Sequence, residues 1–190
     1  MGKDLFIGRE LEIQEMAKIL RSTSNSQGRQ ILVLSGTGGI GKTQLAITYA
    51  KRYSSAYSSV FWLNASSRTT LLTSLRRLVP QILPDAGDQL DDDSMLTRVS
   101  CWLSQHDNQS WLLIFDNYDG SDLFNIGEFY PSVAHGSIII TTRQRDQING
   151  EEICLQPLAN EEESLRILVL RSRRENAELG EETSKEVRSS

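Results

Sequence analysis

The stretch from Ile31 to Thr43 restricts what this chain can fold into more than any other part of it. Its sequence, ILVLSGTGGIGKT, is an apolar run that leads into a glycine-rich loop, and the segment after it, QLAITYAKRY, is compatible with a helix. In this strand, loop and helix context, the loop matches the pattern G-x-x-x-x-G-K-[ST] at Gly36, Gly41, Lys42 and Thr43. A glycine-rich turn without a ligand is the alternative. Agreement at every fixed position of the pattern favours a phosphate-binding loop.

Each part of this loop has its own role in the predicted binding of a nucleotide. Glycines let successive backbone N–H groups turn towards an anion, and the helix that begins near Lys42 adds unsatisfied amides and the positive end of its dipole. The ammonium of Lys42 suits the β and γ phosphates, and the hydroxyl of Thr43 is placed to ligate Mg²⁺. The predicted nucleotide-binding residues of the loop are Gly36, Thr37, Gly38, Gly39, Ile40, Gly41, Lys42, Thr43 and Gln44.

Apolar segments that resemble strands alternate with segments of helical spacing along most of the chain. The strand-like segments are ILVLS after Gln30, VFWLN from Val60, WLLIFD from Trp111, SIIITTR from Ser137 and the weaker EEICLQ from Glu151. Near-continuous apolar strands are typical of a parallel sheet that helices cover on both faces. We therefore predict an α/β fold of the P-loop NTPase type, with three layers and a five-stranded parallel sheet.

The predicted domain organisation follows from the same segments. We expect an N-terminal linker and a helix packed on the nucleotide domain over residues 1–29, and the P-loop nucleotide-binding domain over residues 30–172. Residues 173–190 are polar and highly charged, which predicts a tail or linker.

Helix boundaries between the second and third strands can be predicted from capping residues. Ser66 or Ser67 can cap a helix, which Pro80 should end or kink. Ser94 is expected to start the next helix, and the acidic stretch of residues 85–93 before it is interpreted as a solvated loop.

Two charged residues come at or just after the ends of predicted strands. Ligands of such sheets bind at the carboxyl ends of the strands. Asp116 ends the run WLLIFD, where an acid can hold Mg²⁺ beside a phosphate loop, although a turn or capping role is the alternative. Arg143 ends the run SIIITTR, where its planar cation could reach a γ phosphate, although a surface pair with Asp146 is the alternative. The predicted catalytic residues are Lys42, Asp116 and Arg143, and the predicted Mg²⁺ ligands are Thr43 and Asp116.

The composition bears on partners and location. The net charge of −5 argues against a general affinity for nucleic acid or anionic membranes. No apolar run approaches the length of a membrane span, and the start MGKDLF has no signal-peptide core. These features predict a cytoplasmic chain. Cys101 and Cys154 lie in apolar segments and are interpreted as small core residues.

Five motifs in order, FIGRE, GTGGIGKT, LLIFDN, GSIIITTR and LQPLANEEESLRIL, resemble the nucleotide-binding domain of the NB-ARC class of STAND NTPases. This class includes the switch domains of plant resistance proteins, apoptosome-forming proteins and fungal NOD-like receptors. The segments FWLNA, WLLIFDNYD and GSIIITTR are most similar to those of the fungal members. The resemblance extends over residues 5–172.

The resemblance implies more about the site than the motifs do alone. It implies that the strand bearing Arg143 lies between the phosphate-loop strand and the strand bearing Asp116, which would bring Arg143 over the γ phosphate. It also implies that the segment around Ile7 and Arg9 lies against the adenine. ADP or ATP and Mg²⁺ are the implied cofactors.

Two features depart from the family pattern. Many members carry a second acid directly after the magnesium-binding Asp, whereas this chain has Asn117. An amide cannot accept a proton as a general base, so fast hydrolysis is not expected unless Asp119 or a water-mediated route substitutes. Family members also continue into helical and winged-helix domains and a repeat sensor. The expectation is that this chain is an excised domain or a fragment without the full closed-state lock.

The function predicted from these features is a switch domain of an NLR-type intracellular receptor. Mg²⁺-dependent exchange or slow hydrolysis of ADP or ATP would control self-association of the longer receptor and its signalling. The effector and sensor domains would lie outside this chain, and neither nucleic acid nor a membrane is an expected partner. The alternatives are a catalytic P-loop ATPase or small-molecule kinase with true turnover, and a degraded nucleotide site kept for protein contacts.

Overall fold

The computed structural model describes residues 9–21, 28–84, 90–119, 124–144 and 148–157. Leu11–Leu155 forms one compact unit, and Arg9, Glu10, Gln156 and Pro157 belong to a second. No helix in the described part of the chain is long and apolar enough to cross a membrane.

The described helices and strands alternate over the first part of the chain, from α1 to α3, as the apolar pattern predicts. In chain order they are α1 Glu10–Leu20, β1 Gln30–Ser35, α2 Lys42–Arg52, β2 Ser59–Asn64, α3 Arg68–Ile82, α4 Asp92–Leu103, β3 Trp111–Asp116, β4 Ser137–Thr141 and β5 Glu151–Cys154. Short 3₁₀ turns occur at Ser54–Ala56, His106–Asn108 and Ile126–Phe129.

The strands form a five-stranded parallel sheet in the order β2-β3-β4-β1-β5. The predicted α/β P-loop fold is therefore confirmed. Strand β4, which leads to Arg143, lies between the phosphate-loop strand β1 and the acid-bearing strand β3, as the resemblance implies.

Helices cover both faces of the sheet. On one face, α3 and α4 pack their apolar stripes against Leu113, Phe115 and Ile140 in a single core cluster. Because side chains alternate along a strand, Leu112 and Ile114 point to the opposite face, and both are fully buried there. Buried residues of α1 and α2 lie outside the first cluster, and α2 contacts β4. The three-layer arrangement aligns the carboxyl ends of β1, β3 and β4 at one edge of the sheet.

The start of one helix differs from the prediction. Helix α4 begins at Asp92 rather than Ser94, because Asp91 is the N-cap and accepts a hydrogen bond from the backbone N of Ser94 at 2.9 Å. The end of the acidic stretch is thus the start of a helix, where carboxylates complement the helix dipole. Helix α3 is capped by Ser67, as predicted, and Pro80 does not end it, because the helix extends to Ile82 and Leu83 N donates to Val79 O at 2.8 Å. A kink at Pro80 stays a prediction.

The interpretation of Cys101 as a core residue is wrong, because its side chain is exposed. Met95, Val99 and Leu103 form the buried face of α4. Cys101 is two residues from Val99, which places it about 200° around the helix, on the opposite side. Cys154 is partly buried.

Candidate functional site

The phosphate loop connects the buried end of β1 to the first turn of α2. Its backbone has positive φ angles at Gly36 (139°), Gly39 (76°) and Gly41 (98°), which favour glycine. A Cβ at Gly36 would lie 2.8 Å from the carbonyl oxygen of Leu155, so the residue is also required by space.

The first turn of α2 is built to attract an anion. Gly41 is its N-cap and offers no side-chain cap, and the first turn contains no acidic residue. The backbone amides at the start of α2 therefore have no side-chain acceptor at the N-cap, and the positive end of the helix dipole faces the loop.

Lys42 is folded over the loop. Its Nζ donates to the carbonyl oxygens of Gly36 at 2.7 Å and Thr37 at 2.9 Å. The residue is 9% exposed. Burial lowers the pKa of Lys42, and Asp119 and then Asp116 act in the opposite direction by favouring the ammonium form, while Arg143 adds to the lowering. The charges at the strand ends thus act on one another across the loop.

Thr43 and Asp116, the two predicted Mg²⁺ ligands, are in contact. The Thr43 hydroxyl donates to Asp116 Oδ1 at 2.8 Å, and the Thr141 hydroxyl donates to the same oxygen at 2.6 Å. No hydrogen bond within the described residues reaches Asp116 Oδ2. Thr141 therefore fixes the carboxylate and leaves one of its oxygens available.

The donor set at this position fits Mg²⁺. Octahedral Mg²⁺ holds its ligands at about 2.1 Å, so adjacent ligands are separated by about 3 Å, close to the 2.8 Å between the Thr43 and Asp116 oxygens. The described residues contain no group of three or more His, Cys, Asp or Glu side chains that could hold a metal. Mg²⁺ at phosphate sites needs only one or two carboxylates, because substrate phosphates and water complete its coordination.

Arg143 lies over the loop from the end of β4. Its guanidinium carbon is 3.4 Å from the position that a Cβ of Gly38 would occupy. Asp119 contacts Arg143 twice: its Oδ1 accepts a hydrogen bond from the Arg143 backbone N at 2.6 Å, and its Oδ2 forms an ion pair with Nε at 3.0 Å. The partner of Arg143 among the described residues is thus Asp119, and Asp146, the alternative partner in the sequence, lies outside them.

Asn117 has a left-handed backbone conformation, with φ 66°. Asn tolerates this region better than most residues other than glycine. Its backbone N donates to the Thr141 hydroxyl at 2.8 Å, and its carbonyl accepts from Asp119 N at 3.1 Å. The turn at Asn117 therefore directs Asp119 back towards Arg143.

The predicted adenine-contacting residues are less well described. Ile7 lies outside the described residues. Arg9 is buried, and its Nη2 donates to the carbonyl oxygen of Gln156 at 2.9 Å within the second unit. Its role towards adenine stays a prediction.

The structure thus brings together the loop, Lys42, Thr43, Asp116 and Arg143. Gln44 lies exposed in the first turn of α2, Ile40 is partly buried, and Thr37, Gly38 and Gly39 are exposed. The sequence prediction did not include Thr141, which is the first residue of TTR and directly precedes Thr142 and Arg143. It named Asp119 as a substitute base and did not include the contact of Asp119 with Arg143.

The model of the NB-ARC domain family matches residues 11–175. A nucleotide-binding leucine-rich repeat (NLR)-like protein of the fungus Hyaloscypha variabilis is 28% identical over 155 residues, which cover 73% of this chain and 16% of that protein. A probable disease resistance protein of Arabidopsis thaliana is 28% identical over 140 residues, which cover 70% of this chain and 19% of that protein. The chain therefore spans less than a fifth of the length of either relative.

Solved structures with a similar fold include an archaeal and a Drosophila protein. Cdc6p of Pyrobaculum aerophilum superposes with a TM-score of 0.63 at 16% identity, covering 90% of this chain and 51% of that chain. A Drosophila ORC chain, solved bound to DNA, gives a TM-score of 0.57 at 19% identity and covers 92% of this chain and 49% of that chain. At these identities the likeness concerns the fold alone.

Proposed function

This chain belongs to the NB-ARC family, and we propose that it is a switch domain that binds ADP or ATP with Mg²⁺. The observation that carries the proposal is the cluster at the carboxyl ends of β1, β3 and β4, where Thr43 and Asp116 are in contact and Arg143 lies over the loop. Lys42 would bind the β and γ phosphates, and Arg143 would bind the γ phosphate. The loop residues 36–44 would surround the phosphates with backbone amides.

Mg²⁺, when bound, would supply charge neutralisation between the phosphates. The residues of this chain that would hold it are Thr43 and Asp116, whose shared hydrogen bond already places a hydroxyl and a carboxylate together. Thr141 would keep the Asp116 carboxylate oriented through its own hydrogen bond to Oδ1.

A role as a switch is favoured over rapid turnover by the residues that follow Asp116. Asn117 cannot act as a general base. Both carboxylate oxygens of Asp119, the nearest substitute in the sequence, are engaged by Arg143, because Oδ1 accepts its backbone N–H and Oδ2 forms an ion pair with its Nε. We expect turnover well below one per second, against about ten per second for a typical enzyme. A measured rate near that typical value would favour the ATPase or kinase alternative.

The relatives support a proposed biological setting. A fungal NLR-like protein and a plant disease resistance protein, both far longer than this chain, support a receptor in which exchange or slow hydrolysis of the nucleotide controls self-association. The effector and sensor domains would belong to the rest of that receptor, and the cytoplasm is the proposed location. Light scattering of a longer receptor in ATP and in ADP tests this part, which fails if the protein stays monomeric in both.

A role in binding DNA is not proposed. The structural neighbours include an ORC chain bound to DNA, but the fold is the only property shared at that identity. The net charge of −5 opposes the backbone electrostatics on which non-specific DNA binding depends.

Thermal melting with nucleotides tests the binding proposal. A ligand at about 100 times its Kd adds about 2.7 kcal/mol of stability, which raises the Tm of a chain of this size by about 5 to 11 °C. Lys42→Ala should abolish the rise with ADP or ATP, and Asp116→Ala should remove mainly its Mg²⁺ dependence. Lys51→Ala is the matched control, because Lys51 is an exposed lysine in the last turn of the same helix. No rise in the unmodified protein with either nucleotide would contradict the proposal.

A further inference from the structure

The carboxylate of Asp119 holds Arg143 at two points. Oδ1 accepts the Arg143 backbone N at 2.6 Å, and Oδ2 lies 3.0 Å from Nε of the guanidinium. The carbonyl oxygen of Asp119 also accepts a hydrogen bond from Gln144 Nε2 at 3.0 Å. Asp119 therefore determines where the cation over the phosphate loop lies.

Asp119 also interacts electrostatically with Lys42, the second cation beside the phosphate loop. Burial lowers the pKa of Lys42, and among the neighbouring charges that oppose this lowering, Asp119 contributes more than Asp116. One carboxylate thus lies in the field of both cations that a terminal phosphate would use.

The pair between Asp119 and Arg143 is open to competition. The Arg143 side chain is 63% exposed and that of Asp119 is 28% exposed, and ion pairs in such surroundings are weak because water screens them. A phosphate binds a guanidinium through the same fork of N–H donors as a carboxylate does. The two anions therefore compete for Arg143.

We propose that Asp119 sets the preference between nucleoside diphosphate and triphosphate by competing with the terminal phosphate for Arg143. The inference rests on the proposed function, because it concerns the same nucleotide site. Competition and charge repulsion both act against the more highly charged triphosphate. In this chain, Asp119 is thus a specificity-determining residue that biases the switch towards the diphosphate.

A purely structural role for Asp119 makes a different prediction. The Oδ1 contact with the Arg143 backbone also stabilises the turn after β4. Asp119→Asn keeps an acceptor for that backbone N and removes the charge that attracts the guanidinium. If the turn were the only function, this variant would bind both nucleotides as the unmodified protein does, and a damaged turn would weaken both equally.

Calorimetric titration with Mg-ATP and Mg-ADP tests the inference. In Asp119→Asn we expect the ratio of ATP affinity to ADP affinity to rise about threefold, the effect of one exposed ion pair. Asp107→Asn removes the same charge at a fully exposed position on the 3₁₀ turn before β3, and it should leave the ratio unchanged. An unchanged or lower ratio in Asp119→Asn would overturn the inference.

Arg143 variants separate the mechanism from a simple charge effect. Arg143→Gln should shift the ratio in the opposite direction, towards ADP. In the Arg143→Gln background, Asp119→Asn should raise the ratio of ATP affinity to ADP affinity by less than half as much as it does in the unmodified protein. The reason is that the guanidinium for which the carboxylate and the phosphate compete is then absent. An equal rise in both backgrounds would contradict competition for Arg143. Absence of any nucleotide binding by the unmodified protein would instead overturn the proposed function.

Discussion

Gly36→Ala offers a test of the loop geometry that needs no nucleotide. Gly36 has a φ angle of 139°, and a Cβ there would lie 2.8 Å from the carbonyl oxygen of Leu155 and 3.4 Å from Cγ2 of Ile40. The backbone at Leu155 is held in place, because Leu155 N donates a hydrogen bond to Ser35 O at 2.9 Å. The substitution therefore combines backbone strain with a backbone clash.

The magnitude follows from these two contributions. An unfavourable φ costs about 1 to 3 kcal/mol, and overpacking adds about 1 to 3 kcal/mol, so we take about 3 kcal/mol for Gly36→Ala. Gly39→Ala is the matched control, because Gly39 also has a positive φ, of 76°, but no atom of the described residues other than its chain neighbours lies within 4 Å of its Cβ position. Its cost should be about 1 kcal/mol. For a chain of this size the expected falls in Tm are about 6 to 12 °C and about 2 to 4 °C respectively.

Denaturant unfolding of the two variants without nucleotide measures this difference in the free energy of unfolding. A second measurement follows from Lys42, whose Nζ donates to the Gly36 carbonyl. A displaced carbonyl should weaken nucleotide binding more in Gly36→Ala than in Gly39→Ala at a temperature where both are folded. Equal destabilisation by the two substitutions would refute the role of the Leu155 contact.

The remaining predictions concern the metal, the lysine and the core. Thr43→Val should reduce the Mg²⁺-dependent part of ATP affinity, measured with Mg²⁺ and with EDTA, whereas Thr73→Val, at an exposed position on α3, should not; equal Mg²⁺ dependence in both would contradict the assignment. Burial lowers the pKa of Lys42 below its ordinary value of 10.5, and a bound phosphate favours the charged ammonium. ATP affinity should therefore fall as the pH rises through this lowered pKa, and Lys42→Met should bind ATP weakly and without this pH dependence. Gly136→Ala should destabilise the fold by about 3 kcal/mol or more, because its Cβ would lie 2.3 Å from the ring of buried Trp111; an unchanged unfolding midpoint would show that the ring moves freely.

The sheet could be predicted because its three central strands, β1, β3 and β4, are buried on both faces. A strand such as WLLIFD is apolar at nearly every position, so its pattern identifies it without knowledge of its neighbours. The position of β4 between β1 and β3 came from the resemblance instead. Strand order depends on which hydrophobic surfaces meet in space, which local spacing does not encode.

The contacts around Asp116 could not be predicted from the sequence. Phe115 pairs with Ile140 in the β3 and β4 register, and this register brings the Thr141 hydroxyl to the Asp116 carboxylate across 25 residues of sequence. A shift of one residue would point Thr141 to the other face of the sheet. The pair of Asp119 with Arg143 depends in addition on the left-handed turn at Asn117.

The wrong predictions for α4, the burial of Cys101 and the position of the first helical residue, both have a local cause. The apolar neighbours of Cys101 predict a core position, whereas its angular position on α4 decides its exposure. The sequence offers both Ser94 and Asp91 as capping residues of α4. A run of aspartates is typical of a solvated loop, and local spacing does not show that one of them caps a helix.

The most direct test of the central claim is equilibrium dialysis of labelled ADP against this chain in Mg²⁺. The account predicts a single saturable site from which unlabelled ATP displaces the ADP, and predicts that Lys42→Ala removes the site while Lys51→Ala keeps it. The absence of saturable binding by the unmodified chain, or binding that Lys42→Ala leaves unchanged, would contradict the account.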